Sequence, residues 1–351
     1  MTTELTCAGK PFNHLHASHC ESGVTASLFQ DKGVDLSEAM AFGIGSGIFF
    51  GHLPFIKMVG LPVTTYRSRP GTLFSKVAKR LGGKFVTKKY YNFPWKTDRT
   101  KEGMDDLRAL LDSGNIVGLT TNIYWLSYFP NRFRFQFNGH NIVVLHEIEN
   151  GFRVSDPMLE EPVDCSAEDL ERARFAHGPL EPRGFMYYPQ SVNPDPDLRS
   201  AGLKGMKDTC NMMLKIPVPI FGIRGMRYLA KKIIRSPEKL GFMGACRELS
   251  SVVRMQEEVG TGGAGFRYMY AAFLQEAAEL FASEELARLS GEMTAIGDIW
   301  REFAVVSARI IKQRGQAEET FEKAGALMLV CAGREEQLFK DLSLAAGKLK
   351  A

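Results

Sequence analysis

The spacing of apolar residues changes partway along this chain. Up to about residue 190, short apolar runs and alternating stretches are separated by Gly, Asn and Asp turns; beyond it, apolar residues recur every three or four positions, the period of helices. In the first part, Val24 and Leu28, with Phe29 beside them, predict a helix that begins near Cys20 and stops at Lys32-Gly33. A second helix is expected after Ser37, its N-cap, running into a glycine run at 43, 45 and 47. Residues 72–81 place Leu73, Phe74, Val77 and Leu81 on one helical face, and residues 104–111 do the same with Leu107, Leu110 and Leu111. Strands are expected within 55–66, at 84–88, at 116–121 and at 185–189, and 122–128 reads as a cleft wall. Residues 140–148 and 151–156 read as two antiparallel strands joined at Glu149-Asn150-Gly151, and 164–176 reads as a helix.

Asn193-Pro194-Asp195-Pro196-Asp197 is a polar, proline-rich break. After it come helices at 198–214, 223–234, 237–259 and 266–281, then two long ones near 284–313 and 316–349. The expected fold is therefore α+β: an N-terminal domain over 1–193, with a helix packed on an antiparallel sheet, then an all-helical domain over 194–351. With 351 residues, 44% of them hydrophobic, the chain is long enough for two cores.

The hairpin carries the first chemical signal. In an antiparallel pair the start of one strand lies beside the end of the next, so His140 and Asp156 are expected to meet. A carboxylate beside an imidazole can fix its tautomer and orientation. Cys20 supplies the second signal, because a thiol in a first helical turn sees unpaired N–H groups and the positive end of the helix dipole, which favour the thiolate. Base, orienter and nucleophile together are what acyl chemistry on a thiol needs. The plain reading of Cys20 alone is a small buried residue. His52, His146 and His177 read as structural or surface residues.

Other features narrow the function. The six cysteines, at 7, 20, 165, 210, 246 and 331, show no CxxC or zinc spacing and suggest reduced thiols in a cytoplasm. The N-terminus lacks the basic and apolar regions of a signal peptide, and no apolar run reaches transmembrane length. The GxGxG at 43–47 follows a helix rather than a strand, so it reads as a tight turn rather than a dinucleotide loop. Glycines 260–265 precede a helix but lack a Walker lysine, so a turn between helices is the expectation. From 67 to 101, Lys and Arg face a single acid, Asp98. This reads as a solvated face or as a dock for an acidic or phosphate-bearing partner. Tyr90, Tyr91, Phe93 and Trp95 follow, but no nucleic-acid module accompanies them, so no nucleic-acid partner is expected. A net charge of +4 does not alter that.

With Cys20, His140 and Asp156 in view, the N-terminal part resembles the N-terminal domain of the butirosin-biosynthesis H protein family. The matching pieces are His19-Cys20-Glu21-Ser22, the stretch 33–39, the glycines 43–47, Gly139-His140 with its apolar strand, and Asp156-Pro157. The C-terminal part resembles the helical domain that often follows, most clearly at Gly260-Thr261-Gly262-Gly263 through Arg267, Tyr270, Phe273 and Leu274. The resemblance implies a papain-like fold and acyl transfer from an acyl carrier protein to an amine or hydroxyl acceptor, in the making of a secondary metabolite or lipid-like product. It makes Cys20 the nucleophile, His140 the general base and acid, and Asp156 the orienter. The donor's phosphopantetheine arm is then a co-substrate, with no bound cofactor and no metal. The Cys20 backbone N–H and a side chain such as Asn122, His14 or His16 would hold the oxyanion. Lys76, Lys79, Arg80, Arg224 and Arg227 are expected to dock the carrier protein or its arm. The helical domain is expected to serve as lid, docking platform or homodimer contact. One departure is that Asn122 and Leu126-Ser127-Tyr128 stand where the family has an acidic residue and Leu-Pro-Tyr, which opens the identity of the acceptor. The rival classes are a cysteine peptidase or amidase on the same triad and a binding protein without turnover.

Overall fold

A computed structural model of the protein describes residues 2–5, 9, 11–58, 60–91, 99–314 and 319–350. Cys7, Phe93, Trp95 and Asp98, named above, lie outside the described residues. In chain order the first elements are β1 (Thr2–Leu5), β2 (Pro11–His14), α1 (Cys20–Gln30), α2 (Glu38–Ile44), β3 (Ile48–Met58), β4 (Leu61–Arg67) and α3 (Thr72–Arg80). Then come β5 (Lys84–Lys88), α4 (Thr100–Asp112), β6 (Val117–Thr121), β7 (His140–Ile148), β8 (Gly151–Ser155), β9 (Val163–Ser166), α5 (Ala167–Arg174) and β10 (Met186–Ser191). The rest is α6 (Leu198–Leu214), α7 (Gly222–Glu257), α8 (Arg267–Phe281), α9 (Glu284–Ile311) and α10 (Phe321–Lys348).

The chain divides into two compact units, one of Met1–Ala41 with Phe74–Pro196 and one of Phe42–Leu73 with Asp197–Ala351. The first is built on an antiparallel six-stranded sheet in the order β5-β10-β6-β7-β8-β9. Side chains on β7 alternate faces, as a period of two requires. Ile142 and Val144 join Leu107 and Leu111 of α4 and Leu170 of α5, whereas Val143 and Leu145 join Val24 and Leu28 of α1 and Phe74 of α3. A strand covered on both faces reads as an unbroken apolar run, which residues 142–145 are. Each of these buried aliphatic side chains contributes about 1.5–3 kcal/mol relative to exposure. β10, last of the unit's strands in sequence, lies between β5 and β6. Gly118 makes room for it, since a Cβ there would come within 2.6 Å of the Tyr187 ring.

The second unit holds helices α6 to α10 and the antiparallel β3–β4 hairpin. Two strands alone do not make a stable sheet, and this pair is completed by packing: Phe50 of β3 stacks on Trp300 of α9, and Tyr66 of β4 meets the same ring edge-on. Arg267 and Glu335, both fully buried, form a two-point ion pair in the same core.

The observed class is the expected one: α+β, with a helix packed on an antiparallel sheet and a C-terminal part whose described residues form helices and turns. Several local expectations differ. Residues 42–73, expected inside a continuous first domain of 1–193, belong to the helical unit, where the hairpin finds its core. Residues 48–67 form two strands, not one short strand within 55–66. The glycine run ends helix α2, and Gly43 lies so close to Phe273 that a Cβ would sit 2.0 Å from its ring. Residues 163–166 pair with β8 as a strand, and the helix starts only after Ser166, whose Oγ accepts from Asp169 N at 3.1 Å. Helix α7 runs through Pro237 and breaks at Gly241 (φ 67°) instead. Proline leaves the Ile233 carbonyl without its helical donor, and the Ser236 hydroxyl takes that place at 2.7 Å. Among the described residues, no helix is long and apolar enough to cross a membrane.

Candidate active site

Cys20 opens α1 because the residues before it form a pinned turn. The His19 ring caps the helix, with Nδ1 accepting from Ser22 N at 3.3 Å. Glu38, at the start of α2, holds the same turn. Its Oε1 accepts from His19 N (2.7 Å) and Ser22 Oγ (3.2 Å), and its Oε2 accepts from Ser18 N (3.0 Å). Burial raises the Glu38 pKa, and these donors oppose that rise. Ala17 N donates to Pro157 O at 2.6 Å, which ties the turn to the chain just beyond β8. Gly23 lets the helix approach this closely, since a Cβ there would come within 2.7 Å of Ala17 Cβ and 2.9 Å of Pro157 Cβ.

The hairpin supplies the other groups. His140 opens β7, and Asp156 directly follows β8. His140 Nε2 lies 2.6 Å from Asp156 Oδ2. Tyr128 donates to the same oxygen at 2.9 Å, and Met158 N donates to Oδ1 at 2.9 Å, so both carboxylate oxygens are held. The edge of the Phe129–His140 pair, with ring centroids 5.8 Å apart, fixes the imidazole from the side. The Cys20 sulfur lies 3.8 Å from Gly139 O and 3.9 Å from Asn141 Nδ2. It also interacts with the His140 ring. With Nε2 committed to Asp156, Nδ1 is the ring nitrogen left to exchange a proton with the thiol.

Burial by itself lowers the His140 pKa. The Asp156 carboxylate, by charge and hydrogen bond, and the hydrogen bond to Cys20 outweigh it and raise the value to about 10. Cys20, His140 and Asp156 are 6%, 3% and 0% exposed, so little water reaches the reacting atoms. Burial pushes Cys165 and Cys210 up to about 12 and raises Cys246 and Cys331 as well. No cluster of His, Cys, Asp and Glu among the described residues is arranged to hold a metal ion.

The remaining expected site residues lie elsewhere or are committed. His14 is buried, with Nδ1 2.8 Å from Ser155 Oγ and Nε2 3.0 Å from Leu159 O, so neither ring nitrogen is left for an oxyanion. His16 is exposed, and its charge acts on Glu38. Asn122 donates from Nδ2 to Gln136 (2.9 Å) and Asn138 (2.6 Å) and accepts Tyr124 N at Oδ1, so its amide shapes the loop after β6. Lys76, Lys79 and Arg80 stand on α3, partly or fully exposed. In the second unit, Arg224 is exposed, whereas Arg227 pairs with Glu336. Three contributors were not assigned from sequence: Tyr128, Asn141 and Glu38. All three stand in stretches quoted above, but only tertiary contact distinguishes them from their neighbours.

A thiol at a helix start, an imidazole at a strand start and a buried carboxylate behind it, on a helix-and-antiparallel-sheet unit, are the groups that acyl chemistry on a thiol needs. Residues 19–157 match the family described as Butirosin biosynthesis protein H, N-terminal, and residues 168–342 match a domain of unknown function (DUF4872). The likeness to the butirosin biosynthesis protein H family is thus one of the N-terminal stretch that holds Cys20, His140 and Asp156. A crystal structure described as that of a candidate C39-like peptidase from Bacillus anthracis is 16% identical, aligns with 55% of this chain and 100% of its own, and has a TM-score of 0.35. No curated protein matches the sequence.

Proposed function

We propose that the protein is a cysteine acyltransferase of a biosynthetic pathway. It would take an acyl group from the phosphopantetheine thioester of an acyl carrier protein, hold it on Cys20, and pass it to an amine or hydroxyl acceptor. The observation that carries this reading is the buried Cys20–His140–Asp156 arrangement within the stretch, residues 19–157, that matches the butirosin biosynthesis protein H N-terminal family.

Cys20 is the nucleophile, and the proton it gives up resides on His140, where the Asp156 carboxylate favours it. The sulfur attacks the thioester carbonyl; the Sγ–C bond forms, the donor's C–S bond breaks, and the departing pantetheine sulfur takes the proton from His140. Neutral His140 then removes a proton from the acceptor amine or hydroxyl as it attacks the acyl-enzyme. The new C–N or C–O bond forms, and the Sγ–C bond breaks. Exchange between thioesters is close to thermoneutral, so positioning matters more than driving force. Exclusion of water lets transfer outrun hydrolysis. Buried free thiols and the lack of a membrane-crossing helix among the described residues agree with a cytoplasmic setting.

Intact-protein mass spectrometry after mixing with acyl carrier protein or simple thioester donors tests this reading. The expected result is a mass increase equal to the acyl group, absent in Cys20→Ala and discharged by amines or alcohols. Full transfer activity in Cys20→Ala would sink the proposal. Release of free acid in the presence of acceptors would make the protein a hydrolase instead.

A further inference from the structure

We infer that the side-chain amide of Asn141 is the second donor of the oxyanion site at Cys20. The inference rests on the reading that Cys20 attacks a carbonyl. An acyl donor bound at Cys20 needs N–H groups where its oxygen becomes negative. The backbone N–H of Cys20, in the first turn of α1, can supply one. His14 and Asn122 are committed to other partners. Asn141 Nδ2 lies 3.9 Å from the sulfur.

The amide's orientation follows from its neighbours. Gly139 O, which can only accept, lies 3.1 Å from Nδ2, so the NH2 end must face it. The other end is held in turn: Oδ1 receives Tyr187 OH at 3.0 Å and Thr120 Oγ1 at 3.3 Å. Burial holds the Tyr187 pKa well above its usual value, so the ring stays a phenol and a donor. An NH2 group has two hydrogens. Gly139 takes one, and the other is directed at the Cys20 sulfur.

Sulfur is a weak acceptor, so this second N–H is poorly used at rest. In the tetrahedral adduct, the Sγ–C bond has formed and the carbonyl electron pair has moved to oxygen. A full negative charge then sits one bond from the sulfur-bound carbon, within reach of the same N–H. A donor that gains strength only at that stage lowers the barrier rather than tightening ground-state binding. The amide is only 5% exposed and locked at both ends, so it needs no reorganisation when the charge appears.

The test compares two reactions of one thiol. Acylation, by an acyl-N-acetylcysteamine thioester or by p-nitrophenyl acetate, passes through an oxyanion. Alkylation by iodoacetamide does not. In Asn141→Ala, acylation should slow about a hundredfold or more while alkylation stays within about twofold of wild type. Tyr187→Phe, which frees the amide but keeps the donor, should show a smaller loss of acylation and unchanged alkylation. It decides the matter by the same ratio if Asn141→Ala fails to fold by circular dichroism. Equal losses in both reactions would mean that Asn141 only places the thiol, and that overturns the inference; unchanged acylation in Asn141→Ala also overturns it. A wild type acylated by the ester but by no thioester overturns the proposed donor, and the Asn141 comparison is then read on the ester. A wild type that is alkylated yet acylated by neither overturns both.

Discussion

Among the described residues, each unit of this protein buries one pair of opposite charges, and the two pairs differ in what they leave open. In the helical unit, Arg267 Nε and Nη2 each donate to Glu335 at 2.9 Å, Nη1 donates to Gly265 O at 2.7 Å, and Trp300 Nε1 donates to Glu335 Oε1 at 2.7 Å. The guanidinium is flanked by the Tyr66 and Trp300 rings. That pair ties α8, α9 and α10 together and is closed. In the first unit, Asp156 is equally well held, but its partner His140 bonds it through one ring nitrogen, which leaves the other for proton exchange with the Cys20 thiol. A closed pair of fixed charges can only hold structure. An open pair that includes an imidazole can move a proton. Burial alone therefore does not mark a functional charge.

The comparison can be broken or sharpened by substitution. The largest effect is expected from Glu335→Ala, which leaves Arg267 charged and Trp300 Nε1 unpaired in the core. Unfolding in denaturant should show a loss of about 3–5 kcal/mol, while the protein that remains folded keeps its rate of Cys20 acylation. Asp156→Asn should do the reverse, slowing acylation about a hundredfold or more with the fold retained. If instead Glu335→Ala silences the thiol of folded protein, the distinction between a closed and an open pair fails.

A smaller effect follows from pH. The folded-state pKa of His140 is raised from 6.5 to about 10, so its protonated form is stabilised by folding. That stabilisation is complete below about pH 6.5 and declines as pH rises through about 10. Denaturant midpoints measured from pH 6 to pH 10 should show the decline in wild type and a flatter profile in Asp156→Asn. Tyr128→Phe removes one of three donors to Asp156, and acylation should fall about tenfold or less. The smallest effect is expected at exposed His16, where His16→Ala should leave acylation within about twofold of wild type.

Parts of the site were readable from local pattern because each depends on near neighbours in sequence. A helix beginning at Cys20 needs only its own apolar spacing and a cap. The His140–Asp156 contact needs only two adjacent strands and the turn between them, and it survives the register shift after Val144. The oxyanion donors expected at His14 and Asn122 depend instead on distant partners. Ser155 and Leu159 claim His14, and Gln136 and Asn138 claim Asn122. No periodicity reports such claims. The hairpin of β3 and β4 is a similar case: its alternation is visible, but the core it joins lies more than two hundred residues along the chain, at Trp300.

The sequence by itself determined many of the elements, the α+β class, the change to helix near residue 197 and the pairing of His140 with Asp156. All of these follow from short-range spacing, in which a period of two or of 3.6 residues sets which side chains share a face. Tertiary structure alone decided three things: that residues 42–73 join the helical unit, that β10 enters the sheet between β5 and β6, and that Asn141 turns its amide toward Cys20. Those outcomes rest on contacts between residues far apart in the chain, where burial, not spacing, selects the partner.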